Sequence, residues 1–196
     1  GRIDTETMTD IVKSWEWGNS GDPEVYIDTQ TRVQGLSFRS NLARLTETLI
    51  GENKLSEAKE ILDIGMKNMP LKGFDYYNFV VPFIEGYYAV GAPEEARGIF
   101  QELKNIYQDH LNYYAAMDIT DQYNSIQNII ENLEGYRRIL DVLSIGDSPE
   151  ITQEERLEFE VFMDKFSHFY EGVEEENNRF EAAHSNETIL LDSLLE

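Results

Sequence analysis

Apolar residues in the segment 42–70 recur with the spacing of two packed helices. The positions are Leu42, Leu45, Leu49, Ala58, Leu62 and Gly65, followed by Pro70. Residues three, four and seven apart share one face of a helix, so this spacing produces two apolar stripes that can pack together. Ala58 and Gly65 are small, which lets two helix axes approach closely. Between the stripes, Gly51 suits a helix C-cap and Asn53 the following N-cap. The pattern predicts a tight helical hairpin.

The same unit recurs 38 residues further along the chain, measured from Ala58 to Ala96. Its two stripes are Val80, Phe83 and Tyr87, then Ala96, Phe100 and Leu103. Pro93 suits the first position of the second helix. Pro82 falls within the first helix, and proline removes one backbone hydrogen bond, so that helix is expected to begin near Asn78 or to bend.

Beyond residue 114 the apolar stripes lengthen. One long stripe is formed by Tyr123, Ile126, Ile130, Leu133, Tyr136, Leu140 and Leu143. A break at 146–149 follows, and Thr152 with Glu155 three residues later has the form of a capping box that opens another helix. The buried residues predicted for that helix are Leu157, Val161, Phe162, Phe166, Phe169 and Val173.

These patterns predict an all-α fold of tetratricopeptide (TPR)-like helical hairpins stacked as a short right-handed solenoid. The chain is predicted to have three parts: an extended N-terminal arm over 1–36, a helical domain over 37–175 and an acidic segment over 176–196. The helical domain contains hairpins at about 37–69, 75–114 and 118–172. The acidic segment carries a last apolar cluster at Ile189–Leu191 and Leu194–Leu195. Within this fold Ala58→Leu is expected to overpack the first hairpin, at about 1–3 kcal/mol. Lys104 is predicted to lie on the surface, so Lys104→Gln is expected to cost almost nothing.

Composition narrows the class of partner. The chain has 196 residues, 41% of them hydrophobic, which is enough for one domain with a sizeable core. The net charge of −22 would repel a nucleic-acid backbone or an anionic membrane surface, so neither is an expected partner. From residue 150 onward there are 14 acidic and 3 basic residues, typical of a solvated helix face with an acidic tail. A site for a cation or a basic partner is the alternative.

Residues for catalysis and metal binding are few. The chain has no cysteine, and its three histidines are His110, His168 and His184. Only Glu181 and His184 have the Glu-x-x-His spacing of di-iron bundles, which need two such pairs. No phosphate-binding glycine loop and no nucleophile elbow occurs. The sequence therefore predicts no catalytic, metal or cofactor site.

The N-terminal segment contributes aromatic residues. Trp15, Trp17 and Tyr26 lie in the predicted arm, where aromatic side chains are expected to pack on the first hairpin. An aromatic platform for a ligand is the alternative.

A candidate binding surface follows from the predicted architecture, because the first helix of each TPR pair lines the concave groove. The side chains expected there are Ser40, Ala43, Arg44, Glu47, Ile50, Asn78, Glu85 and Tyr88. One arginine and one asparagine beside two glutamates do not suit an acidic C-terminal tail, which needs several Lys and Asn side chains. The groove is expected to prefer a neutral or basic segment of another protein or of its own parent chain. Alternatively, the N-terminal arm itself fills the groove, with Trp15 or Trp17 lying in it.

A family resemblance covers residues 15 to about 114. The residues that carry it are Trp17-Gly18-Asn19, Val25-Tyr26-Ile27-Asp28, Arg32, Arg39-Ser40-Asn41, Leu42-Ala43-Arg44-Leu45, Leu49-Ile50, Ala58-Lys59-Glu60-Ile61-Leu62-Asp63, Met69-Pro70, Glu85-Gly86-Tyr87-Tyr88, Gly91 and Glu95-Ala96. In them the chain resembles the C-terminal soluble region of a bacterial family of large multi-pass membrane proteins of unknown function. The N-terminal half of those proteins is similar to protein O-mannosyltransferases.

The resemblance implies a non-catalytic interaction domain attached to a membrane glycosyltransferase-like protein, with any glycosyl transfer belonging to the membrane half. It also implies a periplasmic or otherwise extracytoplasmic location, with the cytoplasm as the alternative. The chain begins at Gly1 without a hydrophobic signal, which indicates a piece of a longer protein or a mature chain. A free-standing TPR adaptor and a glycan-binding helical protein remain the alternative functions, and the sequence predicts no oligomeric state.

Overall fold

A computed structural model describes residues 3–169, and this part of the chain is helical with no strand. The predicted all-α class is therefore confirmed. The helices are α1 (Thr5–Lys13), α2 (Thr29–Gly51), α3 (Leu55–Asn68), α4 (Leu71–Phe74), α5 (Val81–Ala89), α6 (Pro93–Ala115), α7 (Ile119–Asn124), α8 (Ile126–Gly146) and α9 (Pro149–Lys165), with 3-10 turns at Tyr77–Phe79 and Ser167–Phe169. The predicted segment 176–196, its apolar cluster and Val173 lie outside the described residues.

Helices α2 and α3 form the first packed pair. The two predicted stripes are buried between the helices and their neighbours, and burial of each leucine contributes about 1.5–3 kcal/mol. The turn differs from the prediction. Gly51 is the last residue of α2, Asn53 adopts a φ of 60°, and Lys54 rather than Asn53 precedes α3. Asparagine tolerates this left-handed conformation, which ends one helix before the next begins.

Helix α5 packs on both α2 and α3, so the second helix pair lies beside the first. Glycines allow this close approach: a Cβ at Gly65 would lie 2.5 Å from a ring carbon of Phe83, and one at Gly86 would lie 3.0 Å from Leu62. Helix α5 begins at Val81, after a 3-10 turn, with Pro82 in its first turn. Proline there removes no intrahelical hydrogen bond, so the helix does not need to bend.

Helix α8 packs on α5 and α6, and α9 packs on α8. The predicted capping box is wrong. Ser148 is the N-cap of α9 and accepts a hydrogen bond from the backbone of Ile151, while Thr152 is already inside the helix. Two predicted core residues of α9, Leu157 and Val161, are 54% and 55% exposed, because α9 packs on its neighbours through a face containing Phe162. The long stripe is interrupted too, since α7 ends before Ser125 and leaves Tyr123 exposed.

Lys104 is not the surface residue that the sequence predicts. Its side chain is 10% exposed, and Nζ lies 2.6 Å from Glu155 and 2.8 Å from Glu158 of α9. Burial lowers the pKa of the ammonium group, but the hydrogen bonds to the two carboxylates outweigh that effect, and the pKa is raised. Lys104 therefore connects α6 to α9 through charge.

A second polar connection joins the end of α5 and the start of α6 to the loop after α8. The Asp147 carboxylate, 3% exposed, accepts hydrogen bonds from Arg97 Nε at 2.6 Å and Nη2 at 2.9 Å. The Tyr88 hydroxyl donates to Oδ2 at 2.9 Å and the Ser148 amide to Oδ1 at 2.7 Å. These four hydrogen bonds hold the pKa of Asp147 well below its ordinary value, and those from Arg97 have the largest effect.

The N-terminal region is not an extended arm throughout. Residues 5–13 form α1, and α2 begins at Thr29, eight residues before the predicted hairpin. Asp28 caps α2 by accepting from the amides of Gln30 and Thr31, which satisfies two of the unpaired donors at a helix start. Helix α1 contacts α2 and α3 and buries Val12.

Arg39 of α2 organises the irregular segment 69–76. Its guanidinium, almost fully buried, donates to the backbone carbonyls of Met69, Pro70 and Asp75 at 2.6–3.3 Å. Burial lowers the pKa of Arg39 to about 10. Carbonyl acceptors that have no helical partner are thus satisfied by one side chain.

Candidate functional site

A groove of about 670 Å³ lies between α2 and α5. It is lined by Ser40, Ala43, Arg44, Thr46, Glu47, Ile50, Asn78, Phe79, Pro82, Glu85, Gly86 and Ala89. Every side chain expected on the concave face therefore lines this groove, with the exception of Tyr88.

The geometry of α2 explains why these residues face the groove. Leu45 and Leu49 face the core, and Glu47 is two residues from each, which is about 200° of helix rotation. Glu47 and Arg44 therefore lie on the side away from the core. From α5, Glu85 enters the same groove, and Asn78 reaches it from the 3-10 turn before that helix.

The charged groups of the groove are available for binding. Arg44, Glu47 and Glu85 are exposed, and none of the three forms a side-chain ion pair with another residue between 3 and 169. Two carboxylates and one guanidinium give the groove a formal charge of −1. Its remaining lining is largely apolar, with the half-exposed ring of Phe79 and the exposed Pro82 at the start of α5. The sequence did not predict these two residues in the groove, although a proline in a first helical turn signals an exposed position.

Tyr88 lies in a neighbouring cavity of about 420 Å³, which α5 and α8 share. Its hydroxyl donates a hydrogen bond to Asp147, and burial together with that hydrogen bond raises the pKa of Tyr88. Glu85 and Ala89 line both cavities, so the surface continues along α5. At its far end Ile145 is 88% exposed. The continuous surface therefore runs from α2 across α5 to α8, with Glu85 at its centre.

The aromatic residues of the N-terminal segment occupy a different place. Trp15 and Trp17 pack against Phe38 of α2 in a cavity of about 360 Å³, which we call the tryptophan pocket. Phe38 and Glu47 are nine residues apart, which is about 180° of rotation, so the two surfaces lie on opposite sides of α2. The alternative that a tryptophan fills the groove is wrong. Tyr26 is 80% exposed and makes no ring contact with Trp15 or Trp17.

The histidines and the remaining acidic residues are the candidates for metal binding. No group of His, Asp and Glu residues suited to holding a metal ion occurs between residues 3 and 169. His110 pairs with Asn132 at 2.9 Å, and His168 packs on the ring of Phe169. The Glu181 and His184 pair lies outside the described residues. In the described part, no helix has the length and apolar character required to cross a membrane.

Comparison of the chain with protein-family models, with curated proteins and with solved structures finds no match. Its function is therefore inferred from the groove, the charges on it and the motifs of the sequence.

Proposed function

We propose that this chain is a non-catalytic protein-interaction domain, built of TPR-like helix pairs in a short right-handed solenoid, whose groove between α2 and α5 binds a neutral or basic segment. The observation that carries the proposal is the pair of carboxylates, Glu47 and Glu85, exposed in a largely apolar groove whose one cationic side chain among the described residues is Arg44. They enter it from two different helices and lack an ion-pair partner among residues 3–169.

The chemistry of the groove favours an extended segment with apolar side chains and at least one Lys or Arg. Apolar side chains would cover Phe79, Pro82 and Ile50, and burial of that surface supplies affinity. A cation placed between the two carboxylates gains Coulomb energy from both. An acidic segment would meet two like charges and one Arg44, within a chain whose net charge is −22.

The arrangement of the helices supports TPR-like pairing. Consecutive pairs α2–α3, α5–α6 and α8–α9 each pack across a short connection, and the first helix of a later pair contacts both helices of the pair before it. In TPR arrays this arrangement leaves the first helices to line one common surface. The continuous surface across α2, α5 and α8 corresponds to it.

We further propose, from the resemblance, that the domain is the soluble C-terminal part of a membrane glycosyltransferase-like protein and lies on the extracytoplasmic side. The partner is then another protein or a segment of the parent chain. A free-standing TPR adaptor in the cytoplasm is the competing proposal. The complete reading frame distinguishes the two, because only the first requires a multi-pass hydrophobic half upstream of Gly1.

The binding proposal is tested with three fluorescent peptides of equal length that share the same apolar positions and differ only in carrying Lys, Gln or Glu at the others. Fluorescence polarisation measures the dissociation constant of each. We expect the Lys peptide to bind tightest, the Glu peptide weakest, and the difference to shrink with added salt. Glu47→Gln and Glu85→Gln should each weaken binding of the Lys peptide by up to about fivefold, because an exposed ion pair contributes about 0.2–1 kcal/mol.

Glu134→Gln is the matched control, since Glu134 is exposed on α8 and lines neither cavity. It should leave all three affinities unchanged. Submicromolar binding of the Glu peptide, or an equal loss of affinity in Glu134→Gln and the groove variants, would contradict the charge argument.

A further inference from the structure

The tryptophan pocket is a second concave surface, on the side of α2 away from the groove. Its walls are the rings of Trp15, Trp17 and Phe38, which are half-buried or partly exposed, and its floor is formed by the buried side chains of Met69 and Phe74. At about 360 Å³ it falls at the small end of ligand pockets, which span roughly 300–1,000 Å³.

The ring geometry excludes an ammonium group, which is a common ligand of aromatic pockets. The three ring centroids lie 5.3–6.0 Å apart, with interplanar angles of 63–73°. The rings therefore pack edge to face on one another, and no ammonium group fits between them as in an aromatic cage. Each of the three rings lines the cavity and keeps part of its surface exposed.

The polar rim of the pocket offers both acceptors and donors. Thr31 Oγ1 donates to Asp28 at 2.6 Å and Ser20 Oγ donates to the carbonyl of Asn68 at 2.8 Å, so both hydroxyl oxygens are left with acceptor capacity only. The side chains of Glu16 and Gln34 make no hydrogen bond within residues 3–169 and add further acceptors.

Residues that line the pocket also carry donors. Neither tryptophan indole N–H donates a hydrogen bond to any residue of the described chain, and the Gln34 amide supplies two more N–H groups. A ligand that covers this rim must therefore both donate and accept, because a polar group that is desolvated without a partner opposes binding. A purely apolar side chain does not meet that requirement, and an anion would face Glu16 with no cation among the described residues that line the pocket.

We propose that the tryptophan pocket binds a neutral carbohydrate, with the C–H face of a pyranose ring on the exposed indole surface and its hydroxyl groups on the rim of Glu16, Gln34 and Thr31. Hydroxyl groups donate and accept, which matches the mixed rim. A guanidinium group only donates, and it would leave the indole and amide N–H groups without acceptors. The inference is independent of the proposed function, because the pocket and the groove lie on opposite sides of α2.

The protein contains its own reporter for this site. Trp15 and Trp17 are the two tryptophans of the 196-residue chain, and both line the pocket. Intrinsic tryptophan emission therefore reports on this surface alone. The full chain is titrated with maltose, cellobiose, lactose and chitobiose, and in parallel with N-acetylarginine amide. We expect at least one sugar to produce a saturable change of emission, and the arginine derivative to produce none.

Two matched variants test the polar rim. Gln34→Ala should weaken sugar binding by about fivefold, the effect of one lost hydrogen bond. Gln30→Ala, an exposed glutamine on the same helix outside the pocket, should bind as the parent does. Both variants should melt as the parent does, since neither side chain makes a hydrogen bond among the described residues.

Three outcomes overturn the proposal. One is no emission change with any of the four sugars at tens of millimolar. Another is a response to the arginine derivative alone, abolished by Glu16→Gln, which would assign a guanidinium site. The third is a sugar response that Gln34→Ala leaves unchanged. Unlabelled forms of the groove peptides should leave the emission unaltered, so the two proposals fail separately.

Discussion

Replacing Asp147 by asparagine should weaken the connection that this carboxylate makes between distant helix ends. Oδ2 accepts from Arg97 Nε and from the Tyr88 hydroxyl, and Oδ1 accepts from Arg97 Nη2 and the Ser148 amide. An amide nitrogen in place of Oδ2 would present a donor to two donors. Hydrogen bonds to a charged group contribute about 1.5–3 kcal/mol each. Because Arg97 is 37% exposed and partly screened, we expect a net loss of about 2 kcal/mol for Asp147→Asn.

Thermal unfolding followed by circular dichroism measures this loss. For a chain of 196 residues, 1 kcal/mol corresponds to about 2–4 °C, so Asp147→Asn should lower the Tm by about 4–8 °C near pH 7. Asp141→Asn is the matched control, because Asp141 is exposed on α8 and its carboxylate makes no hydrogen bond or ion pair among residues 3–169. It should melt within about 1 °C of the parent.

The same variant tests the charge of Asp147 through pH. The pKa of Asp147 is lowered in the folded protein relative to the unfolded chain, where an aspartate titrates near 3.9. Its contribution to the free energy of unfolding is therefore complete above about pH 5 and is lost as the pH falls toward the folded pKa. The Tm difference between the parent and Asp147→Asn should narrow below about pH 4. Equal melting of Asp147→Asn and Asp141→Asn, or a difference that does not narrow in acid, would refute the reasoning.

Three further substitutions have defined effects in the same melting assay. Ala58→Leu should overpack the fully buried site between α2 and α3 and cost about 1–3 kcal/mol, whereas Ser56→Leu, exposed on the same helix, should cost under about 0.5 kcal/mol. Lys104→Gln should cost about 3 kcal/mol, since it leaves the buried Glu155 without its cation; a near-zero effect would contradict the charged connection of α6 to α9. Arg39→Lys should cost about 2 kcal/mol, because an ammonium cannot reach all three backbone carbonyls; unchanged stability would show that the segment 69–76 holds without them.

The sequence predicts the helical class and most residues of the groove because both follow from local periodicity. The stripes of Leu42 and Ala58 need only the 3.6-residue repeat to be assigned to a core. Once the core face of α2 is assigned, Arg44 and Glu47 have to lie on the opposite side. The sequence alone therefore suffices to place these two charges on the groove.

What the sequence does not predict depends on contacts between distant residues. Asp147 and Arg97 are 50 positions apart, and nothing in either local segment indicates that they meet. Lys104 resembles a surface residue until Glu155, 51 positions away, is placed beside it. The early start of α2 is a different case, because a local signal for it exists: Asp28 is a residue type that favours the N-cap position. The polar, glycine-containing segment around Asp28 nevertheless favours an extended arm, and the prediction follows that segment.

The tryptophan pocket also depends on contacts that the sequence alone does not predict. Residue type alone marks Trp15 and Trp17 as candidates, but their partner Phe38 lies at the edge of the predicted hairpin, which begins at about residue 37. Without the observed start of α2 at Thr29, the face of Phe38 cannot be assigned. Proximity in the sequence groups Tyr26 with the tryptophans, and the fold places it apart from them.

The central claim is that the groove between α2 and α5 binds a basic segment, and the most direct test is to locate the residues that such a segment contacts. Amide chemical shifts of the isotopically labelled chain are recorded while the Lys peptide is added. We expect changes concentrated at Arg44, Glu47, Glu85 and Ala89, with the two indole N–H signals of Trp15 and Trp17 unmoved. Changes centred on the tryptophan pocket or on α9, with the groove amides unmoved, would contradict the proposed binding surface.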